Sequence, residues 1–171
     1  MGHEEHEQRA KVEGIRAIAC GVLTLSDTRT VANDTSGAVI CNALTAAGHN
    51  VVRYGVVQDE PDAIVTLVKS YAAEGCKLVI TNGGTGIARR DSTVDAIETI
   101  LEKRLPGFGE IFRMLSYAEI GPAAMLSRAT AGVYHGALIF CLPGSTAAVQ
   151  LALDKLLMPQ LDHLVWETIR P

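Results

Sequence analysis

The hydrophobic residues of this chain fall into two alternating patterns. Short, nearly continuous apolar runs end in polar loops, and after most runs apolar residues recur every three or four positions. The first pattern is typical of strands buried on both faces of a parallel sheet, and the second of helices that pack one face on that sheet. Their alternation predicts an α/β fold with three layers, α/β/α, around a mainly parallel sheet of Rossmann-like type.

Five apolar runs predict the strands of this sheet. Residues 17–25, 49–57 and 77–81 each precede a helical pattern, so we expect these strands to be parallel. Residues 131–134 and 137–142 are separated only by His135-Gly136. That spacing predicts a hairpin, and therefore an antiparallel strand at one edge of the sheet.

The predicted helices begin at capping residues and prolines. Asp34 precedes the first helical pattern, which Gly48 ends, and Pro61 fits the first turn of the second. Further helices are predicted over 92–102, from Leu105 to about Tyr117, in a short turn after 121–122, from 143–146 onward, and from Pro159. The sequence contains no internal repeat and no linker that would indicate a second domain.

Size and composition agree with one domain. The chain has 171 residues, of which 48% are hydrophobic, enough for a sizeable core. Residues 1–14 are polar and lack the apolar segment of a signal peptide, so we predict a disordered tail there and a single domain over 15–171. Because no apolar run reaches membrane-spanning length, we expect a cytoplasmic protein without a membrane partner.

Charged residues and potential metal ligands are scattered. The net charge is −4 and no basic patch is visible, so we do not expect a nucleic-acid partner. The four cysteines, Cys20, Cys41, Cys76 and Cys141, form no C-x-x-C pair and are expected to be buried free thiols. The histidines have no ligand-spaced companions, which argues against a structural metal site.

A glycine-rich loop after the third predicted strand is the strongest candidate for chemistry. Gly83, Gly84 and Gly86 can take positive φ and let backbone amides approach an anion closely, and Thr85 adds a hydroxyl donor. Arg90 adds positive charge, and the N-terminus of the following helix favours a phosphate. The alternative is an ordinary strand-to-helix turn in which Asp91 or Ser92 caps the helix.

Other polar loops follow the remaining predicted strands. Ser26-Asp27, Asp59 and residues 143–146 all come directly after apolar runs, as the glycine loop does. Ligands bind at the carboxyl ends of the strands in open α/β sheets. The sequence therefore predicts one binding site at which these loops converge.

Several of these segments resemble the MoaB/Mog family of molybdenum cofactor biosynthesis proteins. The resemblance covers residues from about Arg16 onward and includes the segments 24–29, 34–37, 82–86, 90–91, 107–110, 127–129 and 142–145. Asn82 departs from the Thr or Ser that the family has before the glycines. Ser145-Thr146 matches the MoaB branch, where gephyrin-like members have Asn-Pro.

The resemblance implies a fold, a substrate and a reaction. It implies a MoaB/Mog-like domain that binds molybdopterin and adenylylates its terminal phosphate with ATP and Mg²⁺, releasing pyrophosphate. A non-catalytic molybdopterin carrier or scaffold of the same pathway is the alternative. The family also implies a homo-oligomer, as a trimer or hexamer, and contact with other proteins of the pathway.

The resemblance also implies site residues. Asp59 and Asp91 match the two acidic positions linked to catalysis, and we assign them to Mg²⁺ and to the nucleotide phosphates. The expected phosphate, pterin or nucleotide contacts are Ser26, Asp27, Gly83, Gly84, Thr85, Gly86, Arg90, Glu110, Ser116, Ser127, Arg128, Pro143, Gly144 and Ser145.

Overall fold

Six strands form one mixed sheet in residues 17–169, the part of the chain that the computed structural model describes. The disordered tail predicted for residues 1–14 lies outside the described residues. The strands are β1 (Ala19–Leu25), β2 (Asn50–Val57), β3 (Leu78–Asn82), β4 (Lys103–Arg104), β5 (Thr130–Tyr134) and β6 (Ala137–Leu142). Their order is β2-β1-β3-β6-β5-β4. Strands β2, β1, β3 and β6 run parallel, and β5 pairs antiparallel with both of its neighbours.

Helices cover both faces of this sheet. They are α1 (Thr35–Ala46), α2 (Pro61–Ala73), α3 (Thr93–Glu98), α4 (Pro106–Ile120), α5 (Thr146–Ala152) and α6 (Met158–Ile169), with 3-10 turns at Val31–Asn33 and Gly121–Leu126. Within the described residues, no helix is long and apolar enough to cross a membrane.

Two apolar clusters lie between the sheet and its helices, one on each face. Alternate side chains of the central strands point to opposite faces. On one face, Val22, Ile80 and Phe140 pack with α1, α4, α5 and α6. On the other, Leu23 and Val79 join residues of α2 and α3. The three-layer α/β/α prediction is thus confirmed.

The connections place a topological switch between β1 and β3. The chain leaves β1 through α1 to β2 on one side, and returns through α2 to β3 on the other side of β1. Helices α1 and α2 lie on opposite faces of the sheet. Loops at the carboxyl ends of β1 and β3 therefore diverge and open a crevice, which is where open α/β sheets bind ligands.

One predicted helix is shorter than expected. The helix predicted over 92–102 ends at Glu98, because the backbone N–H groups of Glu102 and Leu105 donate to carbonyls of β5. Residues 103 and 104 thereby become β4, a strand that the pattern does not predict. The hairpin of β5 and β6 is confirmed, but β4 rather than β5 forms the outer edge.

The last two helices are joined without a break. Five residues, Leu153–Leu157, form a π turn between α5 and α6. Pro159 is the second residue of α6, within one position of the predicted start. Proline lacks an N–H and crowds the preceding turn. The regular i→i−4 hydrogen bonds of an α-helix are therefore interrupted here.

Candidate functional site

Three loops meet at Gly83. Its N–H donates to the carbonyl of Leu142 at 2.9 Å, which joins the loop after β3 to the loop after β6. Its φ is +111°, and a Cβ there would lie under 3.0 Å from the carbonyl oxygen of Leu25 at the end of β1. A Cβ on Gly144, in the loop after β6, would lie 3.3 Å from the Cα of Gly83. The predicted convergence of these loops is confirmed.

Two carboxylates pack against glycines of the loop after β3. A Cβ on Gly84, whose φ is +63°, would lie under 3.0 Å from Asp59 Oδ2 and Thr93 Oγ1. A Cβ on Gly86 would lie 2.6 Å from Asp91 Oδ2. A side chain at either position would therefore force its neighbours to move, because a carboxylate oxygen already occupies that space.

Asp59 joins the end of β2 to the start of α3. Its Oδ1 accepts hydrogen bonds from the hydroxyls of Ser92 at 3.0 Å and Thr93 at 3.2 Å. Its Oδ2 faces Gly84 and accepts no hydrogen bond from the described residues. One oxygen of Asp59 is thus fixed by protein donors, and the other remains available to a ligand.

Asp91 closes a turn inside the glycine loop. Its Oδ2 accepts from the N–H of Ala88 at 2.7 Å, and its own N–H donates to the carbonyl of Ala88. Oδ1 accepts no hydrogen bond from the described part of the chain. Ser92 is the N-cap of α3 without a side-chain capping bond. Ser92 thus occupies the N-cap position of the alternative interpretation, but neither side chain makes a capping hydrogen bond.

An exposed ion pair joins two of the loops. Arg90 and Asp27 form an ion pair, with 2.9 Å between Nη1 and Oδ2, between the loops after β3 and β1. Both side chains are exposed, at 66% and 36%. Such a pair contributes little to stability, so a phosphate could replace Asp27 as the partner of Arg90 at small cost.

A buried polar cluster lies beneath these loops, and the site predictions do not include it. Asn82 donates to Thr24 Oγ1 at 2.8 Å, across the β1–β3 pair, and its Oδ1 lies 2.7 Å from the hydroxyl of Ser36. Arg29 Nη1 donates to Ser36 and to the carbonyl of Gly144, at 2.7 and 3.1 Å. The cluster ties the loops after β1 and β6 to the start of α1.

The carboxylate of Asp34 is the charged centre of this cluster. Burial raises its pKa, but the hydrogen bonds that it accepts, including those from Gly37 and Tyr54, outweigh burial and hold the pKa below the ordinary value of 3.8. The sequence carried a signal for this cluster. Thr24 and Asn82 are polar ends of otherwise apolar strands, and they face each other in the sheet register.

Two of the predicted serines accept hydrogen bonds from backbone N–H groups that follow them in the chain. Ser26 Oγ accepts from the N–H groups of Thr28 and Arg29. Ser145 is the N-cap of α5 and accepts from the N–H of Ala148, directly after Pro143 and Gly144. Both hydroxyls lie in loops that reach the site.

The four remaining predicted residues lie on α4 or in the segment before β5. Ser127, Arg128 and Glu110 line a cleft of about 470 Å³ between α3, α4 and the segment before β5. Arg128 contacts the glycine loop, and its backbone N–H donates to the carbonyl of Thr85. Ser116 is buried in α4, where its hydroxyl donates to the carbonyl of Phe112. This bond keeps the hydroxyl of Ser116 within its own helix.

The donor set fits Mg²⁺ but not a metal held by protein alone. In residues 17–169, no group of three or more His, Cys, Asp or Glu side chains is placed to hold a metal. Asp59 beside Gly84 and Asp91 beside Gly86 instead each have one carboxylate oxygen that accepts no hydrogen bond from the described residues. Mg²⁺ is commonly held by one or two carboxylates together with water and substrate phosphates. The two aspartates match that arrangement.

Comparisons with known proteins give matches over most of the chain. Residues 21–163 match the family model described as "Probable molybdopterin binding domain". The chain is 48% identical to molybdenum cofactor biosynthesis protein B of Bacillus subtilis (strain 168), covering 98% of this chain and 97% of that protein.

Two solved structures extend the comparison to the fold. A crystal structure of molybdenum cofactor biosynthesis protein B matches with a TM-score of 0.88 and 44% identity, covering 92% of this chain and 99% of the other. The molybdopterin biosynthesis Mog protein of Mycobacterium ulcerans matches with a TM-score of 0.81 and 28% identity, covering 91% and 98%.

Proposed function

The chain belongs to the family of molybdenum cofactor biosynthesis proteins with this molybdopterin-binding domain, and we propose that it binds molybdopterin and adenylylates its terminal phosphate with ATP. One observation carries the proposal. Asp59 lies beside Gly84 and Asp91 beside Gly86 of the glycine loop, at the sheet edge where phosphate ligands of α/β proteins bind.

The reaction joins two phosphates. An oxygen of the molybdopterin phosphate attacks the α-phosphorus of ATP, and a new phosphorus–oxygen bond forms. The bond from the α-phosphorus to the bridging oxygen of the β-phosphate breaks, and pyrophosphate leaves. Because the attacking phosphate is already an anion near neutral pH, the reaction needs positioning and charge neutralisation more than a general base.

The residues of the site would have different roles in this reaction. Asp59 Oδ2 and Asp91 Oδ1, together with nucleotide oxygens, would hold Mg²⁺, which supplies positive charge to the reacting phosphates. Arg90 would exchange its exposed Asp27 partner for a phosphate. The N-terminus of α5 at Ser145 adds backbone donors beside the glycine loop.

The cleft beside the glycine loop suits the pterin. A pterin ring offers adjacent N–H donors, and a carboxylate is their natural acceptor. Glu110 and the hydroxyl of Ser127 line this cleft, which at about 470 Å³ falls in the range of small-molecule pockets. Arg128 lies between the cleft and the glycine loop, so a molecule spanning both would place its ring in the cleft and its phosphate at Asp91.

A non-catalytic molybdopterin carrier is the second candidate. One observation favours it: Arg29, Arg90 and Arg128 are all engaged by protein carboxylates or carbonyls, so fewer positive charges face the phosphates of an incoming nucleotide. The two functions differ in pyrophosphate release, since a carrier binds the pterin and releases none.

Two substitutions test the transferase. Asp59→Ala and Asp91→Ala should abolish molybdopterin-dependent pyrophosphate release, because each removes a carboxylate that faces the glycine loop. Most of the affinity for molybdopterin should remain, measured by calorimetric titration. Unchanged turnover in either variant would remove that aspartate from the proposed reaction.

An exposed apolar face on α4 supports the proposed trimer or hexamer. Ile111, Met114, Tyr117 and Ile120 are 46%, 65%, 61% and 60% exposed and recur every three residues along the helix. Exposed apolar stripes of this kind mark interaction surfaces. Met114→Glu should reduce the mass measured by light scattering to that of a monomer, and Lys69→Glu on α2 is the control. An unchanged mass for Met114→Glu would exclude this face.

The proposed setting is the cytoplasm, alongside other proteins of the cofactor pathway. The cysteines within the described residues are free thiols, which fits a reducing compartment.

A further inference from the structure

We propose that Arg128 is a positioning residue that fixes the backbone at Asp91, rather than a residue that binds the phosphates directly. All three nitrogens of its guanidinium donate to protein acceptors. Nε donates to the carbonyl of Gly86 at 2.8 Å and Nη2 to the carbonyl of Asp91 at 2.6 Å. Nη1 contacts both carboxylate oxygens of Asp95 at 2.8 Å. This inference deepens the proposed function and rests on it for its kinetic arm.

These contacts clamp both ends of the loop that carries Asp91. Gly86 and Asp91 bracket the turn in which Asp91 Oδ2 accepts from Ala88. The backbone N–H of Arg128 also donates to the carbonyl of Thr85, so three donors of this one residue hold the loop. A charged donor aimed at a carbonyl is among the stronger hydrogen bonds in proteins.

The segment that carries Arg128 is itself held from α4. Arg113 Nη1 donates to the carbonyls of Ser127 and Ala129, at 3.4 and 3.2 Å, on either side of Arg128. Gly109 allows this approach, because a Cβ there would lie 2.6 Å from the carbonyl oxygen of Ala129. The position of Arg128 is therefore determined by the fold before any ligand binds.

Charge alone does not explain this arrangement. Lysine carries the same charge but presents a single nitrogen, which cannot reach the carbonyls of Gly86 and Asp91 and the carboxylate of Asp95 together. If Arg128 served only to attract an anion, Arg128→Lys would retain most of its function. If Arg128 positions Asp91, Arg128→Lys should lose most of this function although the charge is kept.

The first arm of the test is amide hydrogen exchange, which does not depend on turnover. In Arg128→Lys, exchange at the amides of Ala88 and Asp91 should accelerate about tenfold, the effect of losing one hydrogen bond of about 1.4 kcal/mol. Arg53→Lys is the matched control, because Arg53 pairs with Glu74 away from the site. Unchanged exchange at Ala88 and Asp91 in Arg128→Lys would overturn the proposal.

The second arm separates positioning from binding. Arg128→Lys should lower kcat about 10- to 100-fold with little change in the KM for ATP, since a misplaced group costs rate rather than ground-state affinity. A loss that appears instead in KM and in the affinity for pyrophosphate would assign Arg128 to direct anion binding.

The two arms also separate this inference from the proposed reaction. If the wild-type protein releases no pyrophosphate while Arg128→Lys still loosens the loop, the adenylylation proposal fails and the positioning role stands. If turnover is normal in the wild type and in Arg128→Lys, the positioning role fails and the reaction stands.

Discussion

Replacement of Gly84 by alanine tests whether the glycine loop is shaped by the carboxylates that it encloses. The φ of +63° would strain alanine, which costs about 1–2 kcal/mol for a left-handed residue with a Cβ. The new Cβ would also lie under 3.0 Å from Asp59 Oδ2 and Thr93 Oγ1. Thr93 is fully buried and cannot turn into solvent, so the loop or Asp59 must shift.

The expected loss of unfolding free energy follows from comparison with Gly48, where alanine would be similarly strained but its Cβ would meet no neighbouring atom. Gly48 has a φ of +87° and nothing within 4 Å of an added Cβ, so Gly48→Ala measures strain alone. Overpacking of a filled site adds about 1–3 kcal/mol. Gly84→Ala should therefore lose about 2–5 kcal/mol of unfolding free energy, against about 1–2 kcal/mol for Gly48→Ala.

The assay is urea denaturation of both variants, followed by molybdopterin-dependent turnover. A carboxylate displaced by about 1 Å can cost on the order of 100-fold in rate, so Gly84→Ala should lose most turnover while Gly48→Ala keeps it. Equal unfolding free energies and normal turnover in the two variants would refute the reasoning that Asp59 fills the space beside Gly84.

Further predictions concern the buried polar cluster and the thiols. Arg29→Met should lower the free energy of unfolding by about 1–3 kcal/mol, because Ser36 and Gly144 lose a charged donor; an unchanged urea midpoint would contradict this. The lowered pKa of Asp34 stabilises the protein above the ordinary value of 3.8, and that contribution is lost as pH falls through the folded-state pKa. Asp34→Asn should therefore be less stable at neutral pH and show a shallower acid limb in unfolding titrations; parallel acid limbs would argue against this role. Burial raises the pKa of Cys20 and of Cys141 to about 12, so neither thiol should react with a disulfide reagent at pH 8 until the protein unfolds. Rapid labelling of either thiol in the folded protein would show that it is accessible.

Five of the six strands in the described residues, most helices and the convergence of the loops could be predicted because each rests on a local signal. The apolar run before Ser26 and the run before Gly83 each correspond to a central strand, and the polar residues after them lie at the same sheet edge. Asp34 caps α1 and Pro61 starts α2, as their residue types indicate. Periodicity and capping chemistry act over a few residues, so they can be seen without the fold.

The features that escaped prediction depend on contacts between distant residues. β4 has two residues and exists because Lys103 and Arg104 meet β5, so no local pattern marks it. Within residues 17–169, Gly84 and Gly86 face carboxylates of Asp59 and Asp91, whereas the sequence suggested only that glycines admit an anion. The role of Arg128 likewise depends on carbonyls of residues far from it in sequence.

Pyrophosphate release in the presence of molybdopterin, ATP and Mg²⁺ tests the proposed function most directly. A control without molybdopterin measures unrelated ATP hydrolysis. Release that requires molybdopterin, and that disappears in Asp59→Ala and Asp91→Ala, is the predicted result. Binding of molybdopterin without any release of pyrophosphate would contradict the transferase and assign the protein to the carrier function.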